Sequence, residues 1–191
     1  MAKRPILVLP DQRLRAVADP IEVVDDDVRA LAQDMLDTMY DAPGIGLAGP
    51  QIGEMKRIVV MDLSAEDEPN DPLVMINPEI VEVSEETAIT EEGCLSIPEL
   101  YYEVERPAEI TVRYTDLEGK QVEKHATDRL AVCVQHEIDH LDGVLFIDHI
   151  SALKRNMILR KLLKARKEQE RDAAEGRPPK PHPKEDPEHV I

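Results

Sequence analysis

Residues 136–140 read HEIDH, two histidines four positions apart with a glutamate directly after the first. On a helix, positions i and i+4 stack one above the other, so His136 and His140 can aim their imidazoles at one metal ion. Glu137 then lies beside them, within reach of a proton on metal-bound water without being a ligand itself. The flanking residues, LAVCV before the motif and Leu141 after it, are apolar and would bury the histidines. Buried imidazoles need partners. Two histidines do not hold a catalytic metal alone, so the third ligand decides the chemistry.

Several positions could supply it. Gly143 stands where a metzincin has its glycine, but the histidine that should follow is Phe146, which cannot ligate. A downstream glutamate on another helix, the thermolysin-like solution, would be Glu168 or Glu170, both in a strongly charged segment. His149 lies past the expected end of the helix. Upstream, EEGCLSIPE (residues 91–99) carries Cys94 directly after Gly93. A small residue there lets the backbone approach a site closely. The plainer reading of Cys94 is a buried small hydrophobe, as for Cys133. The plainer reading of the motif itself is two surface histidines on an acidic helix.

The elements that must position these residues are legible in outline. Residues 25–40, DDDVRALAQDMLDTMY, place Val28, Leu31, Met35, Leu36 and Met39 at helical spacing behind an acidic start that suits the helix dipole. Residues 42–53, APGIGLAGPQIG, read as a glycine-rich loop. Strand-like runs follow: RIVVMD, PLVMINP, PEIVEVSE, TAITEE and AEITVRYTD. LEGK (residues 117–120) reads as a hairpin turn into QVEKHA. Residues 128–142 form the expected second helix, with Gly143 as its C-terminal cap. A third helix is expected over residues 151–172, and residues 173–191, proline-rich, are expected to be disordered. The pattern is an α+β catalytic domain over residues 1–150 with a helical appendage.

The chain has 191 residues, two cysteines and no tryptophan. That length suits one domain with a sizeable core. The start, MAKRPILVLPDQRLR, holds too short an apolar run for a secretory signal, and no stretch approaches the roughly 20 apolar residues that span a bilayer. The expected location is the cytoplasm, where Cys94 and Cys133 stay reduced. Of the 23 basic and 40 acidic residues, residues 154–167 hold seven basic and no acidic ones. Residues 168–191 hold four basic and seven acidic ones, which leaves residues 1–153 with 12 basic and 33 acidic groups, a net of −21. Such a body repels nucleic acid, which excludes DNA as a partner, while the basic segment could be attracted to a phosphate-rich surface.

Three segments together resemble a known family. QHEIDH (residues 135–140), EGCLS (92–96) and GIGLAGPQ (44–51) are similar, in order and separation, to the three signature motifs of peptide deformylase. ILVLPDQRLR near the start and HLDGVLF after the second histidine resemble that family too, so the likeness runs from residue 4 to about residue 155. It implies small mixed or antiparallel sheets packed around a central HExxH helix, with a C-terminal helix. It implies that Cys94, His136 and His140 hold one divalent ion, ferrous iron with zinc, nickel or cobalt as substitutes. Metal-bound hydroxide would attack the N-formyl group of the initiator formylmethionine of nascent polypeptides and release formate, with Glu137 as general base. The Gln51 side-chain amide and the Leu95 backbone N–H would stabilise the oxyanion. Gly44 and Gly46 would pair with an extended peptide, and Ile45, Val132, Cys133 and the His136 ring would line the methionine pocket.

Two departures stand out. The family has two alanines after GIGL, whereas here Ala48 precedes Gly49, and loss of that methyl is expected to loosen the loop. Arg129 occupies a pocket-wall position that is often apolar. Two other functions fit the same motif: an HExxH metallopeptidase, and a non-catalytic ribosome-associated relative. In the appendage, Ile158, Leu159, Leu162 and Leu163 are expected on one side of the helix, with Arg160, Lys161, Lys164 and Lys167 on the other. That basic side would meet the ribosome rather than a membrane, since it lacks the Trp or Phe anchors of membrane-surface helices.

Overall fold

The computed structural model describes residues 3–65 and 68–175. In chain order the regular elements are α1 (Asp26–Asp41), β1 (Gly46–Ala48), β2 (Ile58–Met61), β3 (Leu73–Val83), β4 (Thr87–Cys94), β5 (Ile97–Pro107), β6 (Glu109–Thr115), β7 (Gln121–Thr127), α2 (Asp128–Leu141) and α3 (Ala152–Ala174). Short 3-10 turns occupy Gln12–Arg15, Gly49–Ile52 and Phe146–Asp148. Five strands form one sheet in the order β1-β2-β3-β6-β7, and β4 pairs with β5 in a second; every strand pair is antiparallel. An isolated parallel bridge joins Asp19 to Lys56.

The two periodicities of the chain explain how the layers meet. In β2, successive side chains point to opposite faces. Val59 and Met61 pack with Ala131, Cys133, Val134, Ile138 and Leu141 of α2, whereas Ile58 and Val60 pack with Val28, Leu31, Met35 and Met39 of α1. The large sheet is therefore covered by α1 on one face and α2 on the other. α1 starts where expected: the Asp25 carboxylate accepts a hydrogen bond from the Val28 N–H at 3.0 Å, and Asp26 and Asp27 follow in the first turn. α2 is buried along nearly its whole length, from Ala131 to Ile138 and again at His140 and Leu141. A third apolar cluster, with Leu9, Leu14, Phe146, Ile147 and Ile158, lies beneath the β4–β5 hairpin. Among the described residues no helix is long and apolar enough to cross a membrane.

The structure departs from the expected elements in four places. PLVMINP and PEIVEVSE are one strand, β3, bent where its register shifts between Ile76 and Glu79. Pro78 has no N–H for the ladder, and Asn77 turns to φ 50° while its side chain brackets the Ile21 backbone, accepting from N–H at 2.8 Å and donating to C=O at 2.7 Å. The stretch around Tyr101 and Tyr102, unassigned from pattern, is β5, because it completes a hairpin with β4. Part of the glycine-rich loop is the short strand β1. Helix α2 ends at Leu141 with Asp142 as its cap, and Gly143 follows at φ 70°. Of the expected tail, residues 176–191 lie outside the described residues.

Helix α3 also corrects an expectation. Ile158 is 2% exposed, and Leu159 and Leu162 pack beside it in the third cluster, but Leu163 is 46% exposed. Five residues along a helix turn the side chain about 140° from its starting direction, too far to share one contact face. Ile158→Ala should therefore lower stability by about 2–4 kcal/mol in chemical denaturation, while Leu163→Ala should stay within about 0.5 kcal/mol of the parent.

Candidate metal centre

Strand β4 ends at Cys94 and α2 passes beside it, which brings together three groups far apart in sequence. The Cys94 Sγ, one ring nitrogen of His136 and one of His140 all lie within 4.8 Å of one another, and all three residues are buried. Cys94 Sγ and His140 Nε2 are 3.2 Å apart. The remaining nitrogen of His136 is fixed: Nδ1 lies 2.9 Å from Glu92 Oε2. A carboxylate can only accept, so Nδ1 carries the proton and the lone pair on Nε2 faces the cluster. That buried Nε2 has no hydrogen-bond partner among the described residues. A thiol sulfur and two imidazole nitrogens with an orphaned lone pair form a donor set suited to a divalent transition-metal ion. Burial holds His140 well below its ordinary pKa, helped by His136, Arg106 and Arg15, so its imidazole stays neutral.

Glu137 is 0% exposed, and neither carboxyl oxygen has a partner among the described residues. Burial raises its pKa well above the ordinary value, and the charges of Glu92 and Asp139 add to that. It faces β1 at Gly46, where a Cβ would run into the Glu137 carboxyl and come within 3.0 Å of Cys133 Sγ. Only glycine leaves room for both. Gln51 enters from the 3-10 turn after β1. Its Oε1 accepts from the Ala48 N–H at 2.7 Å, which turns the NH₂ toward Ser96 Oγ at 3.3 Å and Cys94 Sγ at 3.6 Å. Gly49 does not loosen this turn. A methyl there would sit 2.7 Å from the Lys56 carbonyl oxygen and 2.8 Å from that of Glu54, so the missing side chain permits close backbone packing.

The remaining expected site residues fall around this centre. Ile45 precedes β1, with its carbonyl 4.0 Å from Cys133 Sγ, and Gly44 lies against the Leu95 side chain. Val132 and Cys133 are buried in the core between α2 and the sheet. Burial, then the Glu137 charge, raises the Cys133 thiol pKa well above its ordinary value, so it is an inert wall. Arg129 is exposed at the first turn of α2. The rival ligands do not converge on the cluster. Phe146 stacks on the His136 ring with centroids 6.1 Å apart, His149 Nε2 lies 2.7 Å from Asp139 Oδ2, and Glu168 belongs to the far half of α3, while the Glu170 side chain lies outside the described ones.

Sequence reasoning missed the residues behind the donors. Arg106, only 4% exposed, donates through Nε and Nη2 to the two oxygens of Glu92 at 2.6 and 3.0 Å, and through Nη1 to Asp139 at 2.8 Å. Glu92 lies inside a quoted motif, but nothing in β5 marked Arg106 as its partner. Burial alone would raise the Glu92 pKa; hydrogen bonds from His136 and Arg106 outweigh it and hold the carboxyl at about 2, against 4.5 ordinarily. A depressed carboxyl contributes stability that is present above the ordinary value and lost as pH falls through the folded one. Between about pH 5 and pH 2 the parent should lose on the order of 3 kcal/mol through this group. Glu92→Gln should flatten that part of the acid-unfolding profile, and an unaltered profile would refute the assignment.

Comparisons with known proteins identify the family. The family model described as polypeptide deformylase matches residues 3–156. The chain is 59% identical over 167 residues to the peptide deformylase of Rhizobium meliloti (strain 1021), covering 87% of this chain and 96% of that protein. It is similar in structure to a peptide deformylase from Legionella pneumophila, with TM-score 0.81 and 47% identity over 89% of this chain and 99% of that one. It is also similar to a peptide deformylase from Ehrlichia chaffeensis crystallised in complex with actinonin, with TM-score 0.81 and 40% identity over 86% and 98% of the two chains. With the motifs, the fold and these relatives in agreement, the chain belongs to the peptide deformylase family, whose members are metal-dependent hydrolases that remove the N-formyl group from nascent peptides.

Proposed function

We propose that this chain hydrolyses the N-formyl group of the initiator N-formylmethionine, releasing formate, with one divalent ion held by Cys94, His136 and His140. The observation that carries the reading is the buried Cys94–His136–His140 cluster with the Glu137 carboxyl, which has no hydrogen-bond partner among the described residues, in the same turn of helix as His136. Ferrous iron is the proposed ion, with zinc, nickel or cobalt able to replace it, since a thiolate with two imidazoles suits all of them. When bound, such an ion supplies Lewis acidity, lowering the pKa of water and polarising the formyl carbonyl.

The protein's own groups divide the remaining work. Glu137, made more basic by burial, accepts a proton from the attacking water on a carboxyl oxygen and returns it to the departing amine nitrogen. The Gln51 Nε2–H and the Leu95 backbone N–H donate to the oxygen on which negative charge develops. Gln51 suits that task because its amide is already oriented by Ala48 and does not titrate. β1 is an edge strand, paired only with β2 among the described strands. Its edge at Gly44 and Gly46 takes the peptide backbone as an added strand, and Ile45, Val132, Cys133 and the His136 ring receive the methionine side chain. Protein purified anaerobically, with its metal assayed, should release formate from formyl-Met peptides. Glu137→Gln should keep the metal while turnover falls about 10²- to 10⁴-fold. Cys94→Ser should lose the metal, and Cys133→Ser should keep it. A Glu137→Gln variant with near-parental turnover would sink the assignment.

We assign the chain to the cytoplasm and its basic helix to the ribosome, where nascent substrates emerge. The reading rests on exposed Arg160, Lys161, Lys164 and Lys167 along α3, opposed to an otherwise acidic body. Counterion release at phosphate would make such binding steeply salt-dependent. Reversing Lys161, Lys164 and Lys167 to Glu should abolish co-sedimentation with ribosomes at low salt and leave deformylation of free peptides intact. Unchanged co-sedimentation rules the assignment out.

A further inference from the structure

His149 does not reach the candidate metal centre, yet a continuous run of hydrogen bonds connects it there. Its Nε2 lies 2.7 Å from Asp139 Oδ2, the oxygen that also accepts from Arg106 Nη1 at 2.8 Å. The same guanidinium grips both oxygens of Glu92, and Glu92 Oε2 accepts from His136 Nδ1 at 2.9 Å. Exposure falls along the run: the His149 side chain is 34% exposed, Asp139 22%, Arg106 4% and Glu92 0%. The run therefore starts at the surface and ends on a buried imidazole.

We propose that His149 and Asp139 are positioning residues that, through Arg106 and Glu92, set the orientation and donor strength of His136. Two features support this. Arg106 is shared by two carboxylates, so whatever holds Asp139 in place also determines how squarely the guanidinium meets Glu92. The bond from Nη1 to Asp139 fixes the tilt of the planar guanidinium whose Nε and Nη2 meet the two Glu92 oxygens. The second feature is local: His149 directly follows the 3-10 turn Phe146–Asp148, whose Phe146 ring stacks on His136. One short segment thus packs the face of His136 and, through the ion-pair run, steadies its edge.

The inference rests on the metal-binding reading above, and its test separates the two. Apo-protein is titrated with cobalt(II), following the absorption of the bound ion, and affinity is measured against a chromophoric chelator. Partners of metal-ligating histidines typically affect metal affinity about 10- to 100-fold. His149→Phe, one link more remote, should weaken cobalt binding about 3- to 10-fold and shift the cobalt spectrum. His149→Gln, which keeps a donor, should restore parental affinity within about twofold. Asp139→Asn should weaken binding as well, and adding His149→Phe to it should cost nothing further, because the run is already broken. Parental affinity and spectrum in both single variants would overturn the proposal, as would losses that simply add in the double variant. Failure of His149→Gln to restore binding would overturn it too. If His149→Phe does not fold, Asp139→Asn alone decides by the same readouts. A parent protein that takes up no cobalt overturns the metal-binding reading itself.

Discussion

Burying two imidazoles, a thiol and a carboxyl side by side carries a desolvation cost that apolar packing does not offset. Most other features around the centre answer that constraint. His136 is satisfied on one side by Glu92, and Glu92, fully buried, is tolerable only because Arg106 pairs with it bidentately. Arg106 in turn needs Asp139 on its remaining face. Each link moves a charge closer to solvent until His149 meets water. Glu137 lies outside this run. It is left without a compensating cation among the described groups, and burial with the charges of Glu92 and Asp139 raises its pKa well above the ordinary carboxyl value.

Helix α2 can carry such a load because it is held on several sides. Its apolar residues lock into β2, β3 and β6, while Phe146 folds back on His136 after the helix has ended. Positions 133, 136, 137 and 140 recur at three- and four-residue spacing and form one stripe facing β1 and the end of β4. β1 must come close to that stripe, which explains glycine at position 46, and the Gly49 turn then swings Gln51 back toward Cys94. The three motifs distant in sequence are thus three walls of one enclosure.

Much of this was readable from residue types. Helix α1 and the β6–β7 hairpin with its turn at Gly119 follow from simple periodicity, because each buries one face of a regular element, and the i, i+4 spacing of His136 and His140 on the body of α2 sets them side by side. What escaped reading depends on partners far away in the chain. β5 mixes half-exposed tyrosines with glutamates and becomes a strand only against β4. The join at Asn77–Pro78 looked like a break, yet Asn77 is held by Ile21 across 56 positions. The spacing could propose Cys94 but not choose it over His149, since the deciding fact is which element ends beside α2. Arg106 carried no local signal at all; its role exists only in three dimensions.

The basic helix obeys a different logic from the domain it leaves. α3 is anchored where Ile158, Leu159 and Leu162 enter the cluster beneath the β4–β5 hairpin, with Lys154 lying over the Tyr102 ring at 5.9 Å. On either side of that anchor Leu153, Met157 and Leu163 are left uncovered among the cations. A helix whose apolar anchor is confined to Ile158, Leu159 and Leu162 among the described residues adds little to the cohesion of the core beyond that cluster. Its charges also lie outside the run of hydrogen bonds that ends on His136. Salt should therefore act on the two regions unequally, screening the exposed cations of α3 strongly and the buried Glu92–Arg106 pair very little.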